Sequence, residues 1–294
     1  MLNTAPRPLL KRLPHPLTLA LTFWLGLLCW MAPVSAQYQF RDYPHPKLTP
    51  PDEIKSRSAL LIRADTGEVL YARNPDERLL PASTTKLMTA LIVYEKLGGM
   101  KGSVTITEND RAEPSNVPLV PGETVSVDKL FHALLIESAN DSARALARYV
   151  AGSDEAFVKM MNDRALAMGC FNTHFNNPNG LPAPNGTHYS SCADMMKIFQ
   201  AVIAYPDLRK ICSTKEYTVT TASGTHTFHN HNKLLGYYFG MGPAKTGWTV
   251  AARHTYAASA TRGNHELLLT LLDSPNKWVD AQILFNWGFA QTGP

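Results

Sequence analysis

Three short patterns occur in order along the 294-residue chain: Ser83-Thr84-Thr85-Lys86, Ser138-Ala139-Asn140 and Lys245-Thr246-Gly247. A helix sets residues i and i+3 on one face, so Ser83 and Lys86 are placed to touch. A serine hydroxyl attacks poorly unless a base takes its proton, and a lysine does so only when its amine is neutral. Burial lowers a lysine pKa and a second cation lowers it further, a part Lys245 is able to play. Ser138 would then relay the proton toward a leaving nitrogen, and Asn140 would orient a substrate amide. Gly247 on a strand lets a peptide lie along the backbone as an added strand.

Singly, each pattern is weak. Ser-x-x-Lys recurs at Ser126–Lys129 and Ser274–Lys277, and Ser-x-Asn at Ser274–Asn276. Ser126 precedes a helix as an ordinary N-cap does, and Ser274 has 20 residues after it, too few for a partner set. Ser83 opens an apolar helix and has its partners 55 and 162 residues downstream. Taken alone, Lys245 reads as a solvated strand-edge lysine and Asn140 as a helix cap; the ordered triple reverses that reading.

Periodicity supplies the scaffold for these side chains. Ala59–Arg63 and Val69–Arg73 are β-type runs around Asp65-Thr66-Gly67, a hairpin. Ser83–Leu97 is helical, closed by Gly98-Gly99, and apolar enough to be buried on most sides. Ser103–Thr107 is a further β-run. Val127–Ile136, Asp141–Val150, Asp154–Met168 and Ala193–Ile203 are helical; Glu216–Thr221, Thr249–Ala260 and Glu266–Leu272 read as strands, and Ala281–Phe289 closes the chain as a helix. Strands at both ends around a helical middle predict one α/β (α+β) domain of two lobes, its sheet built from distant segments.

Composition narrows the function classes. With 45% hydrophobic and 18% charged residues the chain carries a real core and is not disordered. The net charge of +4 owes three cations to Arg7, Lys11 and Arg12; without residues 1–36 there are 25 basic against 24 acidic residues. That near-neutral remainder gives no support to nucleic-acid binding. Leu17–Met31 is apolar behind those cations, and its helical rise of about 22 Å falls short of the roughly 30 Å hydrocarbon core. Val34-Ser35-Ala36 supplies small residues, so 1–36 reads as a signal peptide cleaved after Ala36. An uncleaved, tilted N-terminal anchor is the alternative. Leu28 before Cys29 does not fit a lipidation signal. Residues 37–54, with Pro44, Pro46, Pro50 and Pro51, form an extended lead-in.

Cys170, Cys192 and Cys212 then remain, an odd number that permits at most one bridge; three buried free thiols are the simpler reading. His226, His229 and His231 raise a zinc site, but zinc wants a third ligand and usually a carboxylate nearby. No metal is expected, and with no Gly-rich phosphate loop no nucleotide or other cofactor. His174 and His188 are read as structural.

The sequence resembles the serine D-alanyl-D-alanine carboxypeptidases, the low-molecular-mass penicillin-binding proteins. The likeness runs through Pro81–Ala90, Glu137–Asp141, Asn172–Phe175, Asn177-Pro178-Asn179-Gly180-Leu181, Ser213–Tyr217, Asn232–Leu235 and Asn286–Phe289, covering about residues 55–290. It implies the penicillin-binding, β-lactamase-like transpeptidase fold: an antiparallel sheet flanked by helices with an inserted helical lobe. It further implies Ser83 attacking the bond between two D-alanines of a peptidoglycan pentapeptide stem, Lys86 as base, and Ser138, Asn140 and Lys245 in support. The N–H groups of Ser83 and Trp248 would form the oxyanion hole, Thr246, Gly247 and Trp248 would bind substrate, and β-lactams would acylate the same serine.

Three departures from the family shape the expectations. The chain stops at Pro294 without the second β-domain or membrane-lying helix of larger members, so an exported, periplasmic or extracytoplasmic enzyme with no stable membrane anchor is expected. The Arg that receives the substrate carboxylate in many members falls here at Lys277, which attracts a carboxylate but cannot grip it at two points. A D,D-endopeptidase cutting cross-links is therefore the alternative. Arg253 stands where members show Gly, and either reaches the site or sits on the strand's outer face. A class A β-lactamase needs a deacylating Glu, and none occurs from Ala156 to Tyr205. A penicillin-binding sensor without hydrolytic function is the remaining rival, unsupported by any partner segment after Phe289.

Overall fold

The computed structural model describes residues 51–183 and 187–292. The expected signal segment, and the lead-in up to residue 50, lie outside the described residues. In chain order the elements are β1 (Ser58–Arg63), β2 (Val69–Arg73), a 3₁₀ turn (Ala82–Thr85), α1 (Lys86–Leu97), β3 (Ser103–Thr105) and β4 (Thr124–Ser126). Next come α2 (Val127–His132), a π-helical turn (Ala133–Glu137), α3 (Asn140–Ala151), α4 (Asp154–Ala167), α5 (Cys192–Ile203) and α6 (Pro206–Cys212). The chain then runs through β5 (Glu216–Thr221), β6 (Gly224–His229), β7 (Met241–Thr249), β8 (Arg253–Arg262), β9 (His265–Ser274) and α7 (Lys277–Gln291).

The main sheet has the order β2-β1-β9-β8-β7, all neighbours antiparallel. The first hairpin thus pairs with the last, and β7 ends the row. β1 and β9, in the middle of the row, are apolar along most of their length because both of their faces are covered. Along β1, Leu60 and Ile62 join the core under the helical lobe, while Ala59 and Leu61 join a second core under α7. The second core adds Leu267, Leu269 and Leu271 of β9 and Ala281, Leu284 and Phe285 of α7. Removing one such leucine from water contributes about 2 kcal/mol. Gly288 lets α7 approach: a Cβ there would stand 2.7 Å from Leu61 and 2.8 Å from Leu267 side-chain carbons.

α1 is the axis of the helical lobe. Lys86 to Val93 are all buried, which is why this stretch lacks a polar stripe, and Gly98 ends it at φ +63° with its N–H on Tyr94 O. Packed around α1 are α3, α4 and α5.

Sequence and structure differ in the C-terminal third. Thr249–Ala260 is not one strand: β7 ends at Thr249, Val250–Ala252 make a turn, and β8 begins at Arg253 with φ +57°. Pro243 hides the strand character of β7, but it sits at a register irregularity between Met241 and Ala244 on an end strand, where a missing N–H is tolerated. Pro206 opens an unforeseen helix, α6, from its first turn. α7 starts four residues earlier than expected, because Asn276 caps it by accepting from Val279 N at 3.4 Å. Cys170, Cys192 and Cys212 are free and buried, and burial pushes each thiol up to about 12. Among the described residues no helix is long and apolar enough to cross a membrane.

Candidate active site

Ser83 sits in a tight turn that the backbone has to work to make. Ala82 takes φ +47°, a left-handed value costly for a residue with a Cβ, and Thr84 Oγ1 secures the turn by donating to Pro81 O at 2.6 Å. The 3₁₀ turn runs directly into α1, so Lys86 lies on the same face and its Nζ stands 2.9 Å from Ser83 Oγ. The same Nζ stands 2.7 Å from Asn140 Oδ1 and 2.7 Å from Asn179 O. Lys86 is fully buried. Burial, and then the nearby Lys245 charge, hold its pKa well below the ordinary lysine value; Asp141 pulls the other way.

A neutral amine has two N–H groups and one lone pair. The two carbonyl oxygens can only accept, so they take the N–H groups and leave the lone pair facing the Ser83 hydroxyl. That is the arrangement a serine-activating base requires.

Ser138 lies at the end of the π-helical turn with φ +65°, and its Oγ accepts from Lys245 Nζ at 2.8 Å. A π turn followed by a left-handed serine is costly local structure of the kind found at functional sites. Asn140 is the first residue of α3 but makes no cap with its side chain, which is turned to Lys86 instead; its N–H donates to Ser115 O at 2.6 Å. Lys245 is buried, not a solvated edge lysine, and burial brings its pKa down to about 7, with the Lys277 charge adding to the shift.

Thr246, Gly247 and Trp248 are consecutive on β7, opposite Tyr256, Thr255 and His254. Thr246 is buried, and Trp248 is 57% exposed at the strand's end. A Cβ on Gly247 would stand 2.3 Å from Thr255 Oγ1 and 2.8 Å from the Ser83 amide nitrogen. Only glycine lets β7 lie this close to the Ser83 turn. Thr255 Oγ1 adds a bond to Pro81 O at 2.8 Å.

Lys277 joins the cluster from α7. It is 5% exposed, its Nζ lies 3.2 Å from His254 Nδ1 and 4.6 Å above the Trp278 ring, and burial followed by Lys233 lowers its pKa to about 8. Its charge is felt by Lys245. Arg253 is turned to Asp273 at 3.1 Å.

The competing motifs have structural employment. Ser126 caps α2 by accepting from Lys129 N at 3.3 Å, and Ser274 Oγ donates to buried Asp280 at 2.8 Å. His226 meets Ser223 Oγ at 2.9 Å, while His229 and His231 approach separate carboxylates, Glu216 at 3.4 Å and Glu137 at 3.6 Å. Among the described residues no three His, Cys, Asp or Glu groups are arranged to hold a metal.

Two members of the cluster have no role in the sequence reading. The Asn179 carbonyl is a backbone atom, signalled only by the Asn-Pro-Asn-Gly-Leu turn that carries it. Asp141 is buried and accepts from Val117 N and Ser142 N at 2.9 and 2.7 Å; burial nonetheless raises its carboxyl to about 7.

Residues 45–276 match the model of the D-alanyl-D-alanine carboxypeptidase family. The chain is 36% identical over 246 residues to the D-alanyl-D-alanine carboxypeptidase DacF of Bacillus subtilis, covering 81% of this chain and 63% of that protein, less than two thirds of its length. It is 33% identical to the D-alanyl-D-alanine endopeptidase of Pseudomonas aeruginosa over 254 residues, 83% of this chain and 81% of that one. Among solved structures, the Streptomyces K15 DD-transpeptidase superposes with a TM-score of 0.77 at 31% identity, covering 83% of this chain and all of that one. The D-alanyl-D-alanine carboxypeptidase of Mycobacterium tuberculosis gives 0.78 at 31% identity, over 85% and 96% of the two chains. With the penicillin-binding DD-peptidase fold and this family match together, the chain belongs to the D-alanyl-D-alanine carboxypeptidase family of serine peptidases.

Proposed function

We propose that this chain is an exported serine D,D-carboxypeptidase that removes the terminal D-alanine from peptidoglycan stem peptides. The observation that carries the reading is the position of Lys86 Nζ, 2.9 Å from Ser83 Oγ with two carbonyl acceptors on its other sides. Lys86 takes the Ser83 proton as Oγ bonds to the carbonyl carbon of the penultimate D-alanine. The oxyanion is received by the N–H groups of Ser83 and Trp248. Collapse breaks the C–N bond, and Ser138 passes its hydroxyl proton to the leaving amine while Lys245 supplies a proton in return. Lys86 gives up the Ser83 proton to solvent and Lys245 takes one back from solvent. Water then attacks the acyl-enzyme, giving its proton to the neutral Lys86, which passes it to Ser83 Oγ as the ester bond breaks. Asn140 holds the substrate amide, and Thr246 and Lys277 hold the terminal carboxylate. A β-lactam enters the same path, its ring amide opening to leave an ester on Ser83.

Purified residues 37–294 and their Ser83→Ala variant are incubated with a labelled penicillin and with isolated muropeptides. An adduct on the parent alone, with release of free D-alanine, is the expected result. Dimers split to monomers without free D-alanine make it an endopeptidase. A parent that takes no adduct overturns the serine mechanism.

A further inference from the structure

We infer that His188 is a positioning residue for the base, clamping the nucleophile helix to the loop whose carbonyl orients Lys86. The inference rests on the proposed serine mechanism. His188 is 1% exposed and sits between two segments that share no secondary structure. Its Nδ1 accepts from the backbone N–H of Asn176 at 3.0 Å. An acceptor at Nδ1 in a neutral ring leaves the proton on Nε2, which therefore donates to Thr85 Oγ1 at 2.9 Å. Burial lowers the ring's pKa to about 4, so it keeps this neutral form at ordinary pH. Phe175 packs edge-on against the ring, 5.6 Å between centroids, and fixes its plane.

Both ends of this bridge adjoin groups that hold the Lys86 amine. Thr85 stands immediately before Lys86 and two residues after Ser83. Asn176 opens the turn in which Asn177 Oδ1 accepts from Gly180 N at 2.7 Å and Thr89 Oγ1 donates to Pro178 O at 2.6 Å. That turn delivers Asn179 O to Lys86 Nζ. It lies so close to the nucleophile turn that a Cβ on Gly180 would fall 2.0 Å from Ala82 O and 2.9 Å from Thr85 Oγ1. Two segments in such contact, each holding one side of the Lys86 amine, need a fixed spacing. His188 supplies a donor and an acceptor across one rigid ring to set it.

The test reads the acylation rate constant and the penicillin dissociation constant separately, by stopped-flow with labelled penicillin, well below each variant's melting temperature. His188→Ala is expected to lose about tenfold or more in acylation rate with binding little changed, as loss of base alignment does. His188→Gln has an amide oxygen and N–H spaced like the two ring nitrogens, and restores most of the rate. Thr85→Val removes the other end of the bridge and, combined with His188→Ala, adds little further loss. If His188→Ala does not fold, Thr85→Val and His188→Gln decide alone: a slowed Thr85→Val beside a near-parental His188→Gln supports the clamp. Parental acylation in His188→Ala or Thr85→Val overturns it, as does an equal loss in His188→Gln and His188→Ala. A parent that itself takes no adduct fails the serine mechanism, and the clamp falls with it.

Discussion

Gly247 and Ser83 meet backbone to backbone, and the 2.8 Å separating a built Cβ on Gly247 from the Ser83 nitrogen leaves no room for a side chain. The same Cβ would press Thr255 Oγ1, which ties the strand ladder to Pro81 O. Gly247→Ala is therefore expected to cost about 1–3 kcal/mol in stability by overpacking. It would displace the nucleophile turn and slow acylation by about a hundredfold. Thermal melting and labelled-penicillin kinetics measure the two effects; unchanged kinetics would show that the turn yields without consequence.

Lys277 carries a charge that is lost not far above neutral pH. Its pKa of about 8 reflects burial and Lys233, and the nitrogen beside it belongs to a histidine held neutral by burial and the surrounding cations. A base holds its proton below its pKa, so Lys277 is charged below pH 8 and loses that charge above it. KM for peptides ending in a free carboxylate should rise as pH passes through 8, while Lys277→Met shows a high KM at every pH. Steady-state D-alanine release at constant ionic strength measures this, and a parallel rise in the variant would assign the effect elsewhere.

Asp141 makes stability depend on pH in the opposite sense to most carboxylates. Its carboxyl is raised from the ordinary 3.8 to about 7 by burial, so the folded protein binds a proton there that the unfolded chain releases. That stabilisation is full below about pH 4 and is lost as pH rises through 7. Relative to Asp141→Asn, which does not titrate, the parent should lose stability between about pH 4 and 7. Urea midpoints across that range measure it, and a constant difference between the two proteins would contradict it.

What the sequence made legible depended on where the information resides. Ser83 and Lys86 were readable because side-chain types at i and i+3 on an apolar helix state their own geometry. Ser138 was readable as a type, but its left-handed backbone, which follows a π turn of buried residues, was not. The Asn179 carbonyl had no side-chain signature, because any residue has a carbonyl; only the turn that carries it was visible. His188 looked structural since its partners, Asn176 N and Thr85 Oγ1, are set by how two segments cross. The turn at Val250–Ala252 was hidden by strand-favouring residues on both sides, where tertiary pairing overrode propensity. Arg253 was ambiguous in sequence, and the Asp273 carboxylate at 3.1 Å decides it.

The pairing of the first hairpin with the last strand has a consequence in time. β1, residues 58–63, finds its neighbour β9 only at residues 265–274, and Lys245 comes 162 residues after Ser83. Contacts so far apart in sequence form late. On the proposed mechanism, a ribosome that has made Ser83 has made no activated serine, because Lys245 reaches Ser138 only once β7 is in place. A chain arrested before Met241 should take no penicillin label, and one released after Ser274 should begin to. On that mechanism the closing strands of the sheet would also time when the serine becomes reactive.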